Sequence, residues 1–251
     1  ASLQRLNILF KLLERNRKRI EPLAKELGAT KQEVHRNLVR LEASGLITKE
    51  KDGKYSLTTF GKTMCVEIPS ILFLSQHNEY FQDHDFGSIP LKFVMRAGQL
   101  ATGSHIKGIT KTLQKWKSVY SNANEYICEI LSEIPEDLFD PILKKIKNGV
   151  KFEYIVSESA IVPEGRLTRL KKSGFYELIE NGSIERKMQK SVQTVVVLNE
   201  KEACIFFPKN GEADLTEMFY SDQDVFHEWC LDYFRYCWYN SGSFQENKLK
   251  E

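Results

Sequence analysis

The sequence predicts a chain of mixed α+β and α/β class. A small N-terminal domain of three helices and a hairpin leads through a helical linker to an α/β domain with a mixed, partly parallel sheet. Three observations point there. Apolar residues recur at helical spacing in three segments of the first 45 residues, each bounded by cap signals. The period then switches to two on either side of Asp52-Gly53, a hairpin-turn dipeptide. Further on, strand, helix and strand follow one another between Glu125 and Val156, the order of a β-helix-β unit with neighbouring parallel strands. The expected domains are residues 1–67, a linker at 68–88, and residues 89–251.

Composition fits this division. At 251 residues, with 41% hydrophobic, 28% charged and 11% aromatic residues, the chain has material for two globular domains. No apolar run reaches the ~18 residues of a membrane span, and the first residues lack a signal core, so a cytoplasmic location is expected. Five cysteines (Cys65, Cys128, Cys204, Cys230 and Cys237) form no C-x-x-C pair and read as buried thiols, not a disulfide framework. His77 and His84 beside Asp83 and Asp85 fall short of a zinc set, and no cofactor is expected. Residues 1–66 hold 14 Lys and Arg against 7 Asp and Glu, whereas the remainder holds 22 against 27, so the positive charge is concentrated in the first quarter. That split suits a nucleic-acid-binding module joined to a domain with another task.

In order, Leu3, Leu6, Leu9, Phe10 and Leu13 form the stripe of a first helix over 2–15, which ends in a basic run at 15–19. Ile20, a lone apolar residue, reads as a short strand. Glu21 and Pro22 open a second helix with Leu23, Ala24 and Leu27 inside, and Gly28 closes it. Thr30 and Glu33 form a capping box that starts a third helix, closed by Gly45. Two helices joined by about three residues including a Gly make a helix-turn-helix. Strands at 46–50 and 55–57 form a hairpin with Lys51 and Lys54 near its tip.

At about 100° per residue, Val34, Leu38 and Leu41 share the inner face of the third helix, and Gln32, Arg36 and Arg40 fall opposite, with Lys31, His35 and Val39 at the edge. Arg reads a guanine edge bidentately, Gln an adenine edge, and both reach phosphates. The bland alternative is a charged face that meets only water. Residues 3–66 resemble a winged helix-turn-helix of bacterial and archaeal transcription regulators, through residues 23–28 of the second helix and 38–46 at the end of the third. The resemblance implies DNA binding by Thr30, Lys31, Gln32, His35, Arg36, Arg40, Lys51 and Lys54, and commonly a dimer.

Thr58 or Thr59 caps the next helix, which Pro69 breaks or restarts before it continues from Ser70 to about Gln82. Its apolar surface over 60–82 is expected at a dimer interface or against the second domain. Ser88 caps a short helix from Pro90 to about Ala97, and a basic amphipathic helix spans 107–120. The β-helix-β unit comprises 125–131, 135–147 and 150–156. A helix over 163–172 stops at Gly174, and strands follow at 184–188, 194–198 and 203–207. Ser221 to Asp224 reads as a capping box for a terminal helix with an aromatic face, and the polar tail from Gln245 is expected to fray.

Residues 84–93, the β-helix-β segment, and residues 208–214 leading into 226–229 are together similar to the middle domain of the methanogenesis-regulatory-protein family of archaeal winged-helix regulators. The likeness spans about 84–240. The same layout resembles half of a phospholipase-D-like domain, which raises a phosphodiesterase as a remote alternative. That chemistry needs a His nucleophile, a Lys two residues on and an Asp further along. His105 and Lys107 have the spacing, but Thr112 follows where an Asp is needed, no second copy exists, and residues 189–195 contain no His. The domain is therefore expected to be catalytically empty. No Gly-rich phosphate loop or G-x-S-x-G elbow appears either.

Ligands of open α/β sheets sit off the carboxyl ends of the parallel strands. This places Ser132, Glu133, Ser157 and Glu158 at a candidate effector site, with Arg186 as an anion holder. The resulting expectation is a sequence-specific, dimeric DNA-binding regulator that binds double-stranded DNA and has a C-terminal domain for dimerisation or a small-molecule effector. It is no enzyme and has no membrane partner. The alternative is a winged-helix protein-interaction module of the transcription machinery.

Overall fold

The computed structural model describes residues 3–15, 17–133, 135–160 and 162–249. The chain divides into two compact units, residues 1–72 and 73–251. Ser2 and Asn16, in the expected first helix and the basic run, lie outside the described residues.

The N-terminal unit is a winged helix-turn-helix. Helices α1 (Leu3–Glu14), α2 (Ile20–Glu26) and α3 (Lys31–Ala43) precede the hairpin β1 (Ile47–Lys49) and β2 (Tyr55–Leu57), and α4 (Thr59–Gln76) follows. Ile8, Leu9 and Leu12 of α1, Leu23 of α2, Val34, Leu38 and Leu41 of α3, and Ile47, Tyr55 and Leu57 of the hairpin form one core. Fully burying such a side chain is worth roughly 1.5–3 kcal/mol, so this core sets the fold.

Ile20 is not a strand; it opens α2. The strand-like contact falls at Lys18, whose backbone exchanges hydrogen bonds with Tyr55 (3.1 and 2.8 Å) while its buried ammonium pairs with Glu26. Strands β1 and β2 pair antiparallel, with Ile47 opposite Leu57. Gly53, at φ +78°, supplies the left-handed turn between them.

Thr58 fastens the wing to α4. Its Oγ1 accepts from Gly61 N (3.0 Å) and donates to Gly45 O (2.7 Å), and its N–H donates to Leu46 O (3.1 Å). The helix start lies so close to this carbonyl that a Cβ on Gly61 would run into Leu46 O. Pro69 neither breaks nor restarts α4, which runs through it at the cost of the backbone bond that proline cannot donate. The helix stops at Gln76, and Tyr80–Gln82 is a separate 3-10 turn.

In the C-terminal unit, α5 (Leu91–Val94) starts behind Pro90 without a side-chain cap, so Ser88 does not cap it. A 3-10 turn at Ala97–Thr102 continues from there. The expected helix from Lys107 begins later: Ser104–Lys107 is strand β3, and Gly108, at φ +99°, separates it from α6 (Ile109–Asn122). Then come β4 (Tyr126–Leu131), α7 (Phe139–Lys147), β5 (Lys151–Ser157), α8 (Arg166–Ser173), α9 (Phe175–Glu180) and β6 (Ile184–Gln189). The helix expected over 163–172 is α8, which starts at Arg166 and stops at Gly174 as expected, and the short α9 behind that Gly is an element the sequence reading did not contain. Strands β7 (Val195–Asn199), β8 (Ala203–Phe206), β9 (Pro208–Lys209), β10 (Glu212–Ala213) and β11 (Glu217–Ser221) precede α10 (Asp224–Tyr239) and β12 (Gly242–Ser243). No capping box launches α10: Ser221 ends β11, its Oγ accepts from Gln223 N (3.1 Å), and Gln223 makes no side-chain cap.

The main sheet runs β12-β6-β5-β4-β7-β8-β11-β3, with β4, β5 and β6 parallel and the remaining pairs antiparallel. The face carrying Lys187 and Gln189 receives α10, where these side chains donate to Trp238 O (2.8 Å) and Cys237 O (3.3 Å). Trp229, Phe226 and Phe234 of α10 are among the most deeply buried side chains. Register puts Glu129, Tyr154 and Arg186 in one row across β4, β5 and β6 on the other face. There the Oε1 of Glu129 accepts from Trp116 Nε1 (2.9 Å) and from Tyr120 Oη. From Gln245 to Leu249 the tail is anchored, not frayed, with Glu246 paired to Arg166 and Arg186 and Lys248 to Glu158 (2.7 Å); the last two residues lie outside the described residues. All five cysteines are free and buried.

Gly61→Ala should destabilise the N-terminal unit by more than about 2 kcal/mol, because the clash is with backbone, and thermal denaturation will show it. Burial raises the Glu129 carboxyl from 4.5 to about 7, against the two hydrogen bonds that lower it. The folded state therefore holds this proton more tightly than the unfolded chain, so the contribution of Glu129 to stability is fully present below pH 4.5 and is lost as pH rises from 4.5 to about 7. The decline should be on the order of 3 kcal/mol. In Glu129→Gln it should vanish from a pH series of denaturant melts.

Candidate functional site

Helix α3 owes its start to reciprocal bonds. Glu33 N donates to Thr30 Oγ1 (3.2 Å), while Thr30 N and Oγ1 donate to Glu33 Oε2 (3.0 and 2.8 Å). The backbone bond from Thr30, then its hydroxyl, then the charge of Arg36 hold the Glu33 carboxyl below its ordinary range. Thr30 thus acts first as a cap. Asn37, buried on the flank, donates to Glu33 O (3.0 Å) and to Gln4 Oε1 (2.5 Å), which ties α3 to α1.

With its apolar side buried, α3 exposes Lys31, Gln32, His35, Arg36, Val39 and Arg40. Lys31 pairs with Glu21 (3.2 Å), an exposed contact that solvent screens and that is open to exchange. Among the described residues no carboxylate lies in ion-pair contact with Arg36, Arg40 or Lys51. In the wing, Lys54 pairs with Asp52 (2.7 Å), whose carboxyl is held below its ordinary range first by the Lys54 side chain and then by the Lys54 backbone. The basic run before α2 is partly committed: Lys18 is buried against Glu26, and Arg17 pairs with Glu50 (3.1 Å). A lone Lys inside a basic run gives no sequence signal of burial.

At the carboxyl ends of the parallel strands, Ser132 is half-buried and Glu133 exposed in the bend after β4. Ser157, the last residue of β5, is buried and closes its own turn, accepting from Ser159 N (3.2 Å) with its Oγ 2.8 Å from Ser159 Oγ. Arg186 lies further back along its strand. Its Nη1 donates to Glu246 Oε2 (3.0 Å) and its guanidinium stacks over Phe244 (3.8 Å), so its anion comes from the chain itself. Ser132 and Ser157 share one sheet end, and Arg186 is not brought to it.

His105 and Lys107 fall on β3, one of the two edge strands of the main sheet. The His105 ring stacks on Phe219 (4.7 Å), and its Nε2 lies 2.7 Å from Glu217 Oε2, in contact but off the hydrogen-bond angle. Lys107 Nζ is 3.5 Å from the same oxygen. Burial keeps His105 below the ordinary imidazole value, which favours the neutral ring. Thr112 is buried and donates to Ile109 O (2.8 Å) and Leu215 O (2.9 Å), so the segment is used in packing. Among the described residues no helix is long and apolar enough to cross a membrane.

Residues 1–73 match the family model described as the HVO_A0261 N-terminal domain. A search among curated proteins finds no match. Among solved structures, the chain is similar to TrmBL2, an archaeal chromatin protein, at 14% identity over 97% of this chain and 95% of that one, with a TM-score of 0.44. NucT from Helicobacter pylori is similar at 13% identity over 57% of this chain and 98% of its own, with a TM-score of 0.44. Nuc from Salmonella typhimurium, a phospholipase D family member, is similar at 13% identity over 57% of this chain and 99% of its own, with a TM-score of 0.43. At these scores the likenesses assign neither partner nor activity.

Thr30→Ala removes the hydroxyl that accepts from Glu33 N and leaves the backbone bond from residue 30 to Glu33 Oε2, and should cost the N-terminal unit about 1 kcal/mol in a chemical melt while leaving α3 helical.

Proposed function

We propose that this chain is a DNA-binding transcription regulator whose winged helix-turn-helix sets α3 in the major groove. Gln32, His35, Arg36 and Arg40 face the bases and phosphates, Lys31 and the capped α3 start meet the backbone, and Lys51 and Lys54 of the wing lie along a phosphate strand. The observation that carries this reading is the exposed cationic front of α3, with no described carboxylate in ion-pair contact with Arg36 or Arg40. A surface that only met water would gain from pairing such charges.

The regulator works as a homodimer in this reading. Leu3 of α1 and Phe60, Val66 and Ile71 of α4 are apolar and exposed, at 71%, 55%, 66% and 63%, which supports a second copy covering them. The C-terminal unit serves as the dimerisation or effector-sensing half. Thr112 in place of an Asp supports a binding protein over a hydrolase.

Binding of a random duplex, followed by fluorescence anisotropy across a salt series, tests the reading. Affinity should fall steeply with salt, and Arg36→Ala or Arg40→Ala should weaken binding roughly tenfold and reduce the log–log slope by about one, with unchanged melting. Unchanged affinity in both variants at moderate salt would overturn it. No retention of duplex even at low salt would favour a protein-docking role for the winged helix.

A further inference from the structure

A cleft of ≈ 620 Å³ opens at the carboxyl ends of the parallel strands β5 and β6, where ligands of α/β sheets sit. Its size falls within the range of small-molecule sites, about 300–1,000 Å³. The walls include Glu158 just past β5, Gln189 to Ser191 at and beyond the end of β6, Gln193 before β7, Asn240 after α10, and Ser88 in the loop before α5.

Three amides in this wall are fixed in orientation. Gln189 Nε2 donates to Cys237 O (3.3 Å), Gln193 Nε2 to Gly211 O (2.9 Å) and Asn240 Nδ2 to Tyr236 O (2.7 Å). Each nitrogen is thus committed to a backbone carbonyl, while among the described residues none donates a hydrogen bond to the three amide oxygens. The Glu158 carboxylate is in the same condition: its Oε1 accepts from Lys248 (2.7 Å), and no described residue donates to its Oε2. The cleft therefore carries a set of acceptors that lack donors.

Charge narrows what can supply those donors. Lys248 answers Glu158, and Lys190 adds a cation with no described carboxylate in ion-pair contact, so an ammonium ligand would meet positive charge already in place. An anion would meet the amide oxygens, Glu158 and the negative end of the α10 dipole. A neutral ligand rich in hydroxyls suits both limits. Its O–H groups donate to the amide oxygens, and its oxygens accept from Lys190 and from the Ser88 and Ser191 hydroxyls.

We propose that this cleft binds a small neutral polyol, its hydroxyls donating to the amide oxygens of Gln189, Gln193 and Asn240 and accepting from Lys190. This deepens the effector-sensing part of the proposed function, and it is tested without DNA. A duplex-binding failure and a polyol-binding failure are therefore separate results.

The test is isothermal titration calorimetry with thermal shift on the full chain, with xylitol and myo-inositol as probes. Three five-carbon controls keep the chain length of xylitol and change its chemistry: n-pentanol has a single donor, glutarate is an anion and cadaverine a cation. At least one polyol should bind and raise the melting temperature at millimolar concentration, far below the level at which polyols stabilise proteins by exclusion from the surface. Each control should be at least about tenfold weaker. Ser191→Trp fills the cleft from an exposed position and should weaken polyol binding by about tenfold or more. Gln193→Met keeps the length of the side chain, removes the acceptor and should weaken binding severalfold. Unchanged polyol affinity in either variant, or tighter binding of glutarate or cadaverine than of either polyol, would overturn the assignment. So would the absence of heat and thermal shift with both polyols up to on the order of 10 mM.

Discussion

The rotational setting of α3 is the constraint on which the N-terminal unit depends. Val34, Leu38 and Leu41 must leave water together, and a helix has only one rotation that buries all three. Once that is fixed, Gln32, His35, Arg36 and Arg40 have nowhere to point but outward. The Thr30–Glu33 cap sets where the helix begins, and Asn37 locks its flank to α1. At the far end, Thr58 draws Gly45, Leu46 and Gly61 together, so the wing leaves α3 by a defined path. The polar front of α3 is thus a by-product of core packing.

The C-terminal unit obeys a different constraint. Its central strands are buried on both faces, as parallel strands between helices are, and polar groups are admitted there only with partners. Asn199 shows the rule: its Nδ2 donates to Val119 O (2.6 Å), and its Oδ1 accepts from Lys201 N and Glu202 N (2.7 and 3.0 Å). In the row Glu129, Tyr154, Arg186, the arginine finds Glu246 and the glutamate finds two donors on one oxygen only.

Where the sequence carried a strong local signal, the structure agrees. The capping box at Thr30, Asp52-Gly53 and the β4-α7-β5 segment each combine a period with a boundary residue, and each was legible. Elements without a period were not. β3 is four residues, exposed at both ends and half-buried between, β12 is two, and α9 hides behind a Gly that also ends α8. The β9–β10 hairpin did carry a signal, Asn210-Gly211, whose two residues take the positive φ values (53° and 82°) that such a turn needs. Ser221 misled because a hydroxyl three residues before an acid looks the same whether it caps a helix or closes a turn at a strand end. For the candidate sites, exposure on α3 could be read from helical geometry. The burial of Lys18 and the capture of Arg186 by Glu246 join residues 8 and 60 positions apart, a pairing that no local pattern encodes.

The placement of β12 has a consequence for solubility. Gly242 and Ser243 pair with Met188 and Lys187, so the polypeptide folds back after α10 to cover the outer rim of β6. A rim of bare amides and carbonyls is an adhesive template for foreign strands. Two residues are enough to interrupt it only because Glu246 and Lys248, just beyond, are clamped by Arg166, Arg186 and Glu158. A protease cut after Asn240 would release this cover and leave the rim open to self-association, with α1 to α10 and every other strand still in place.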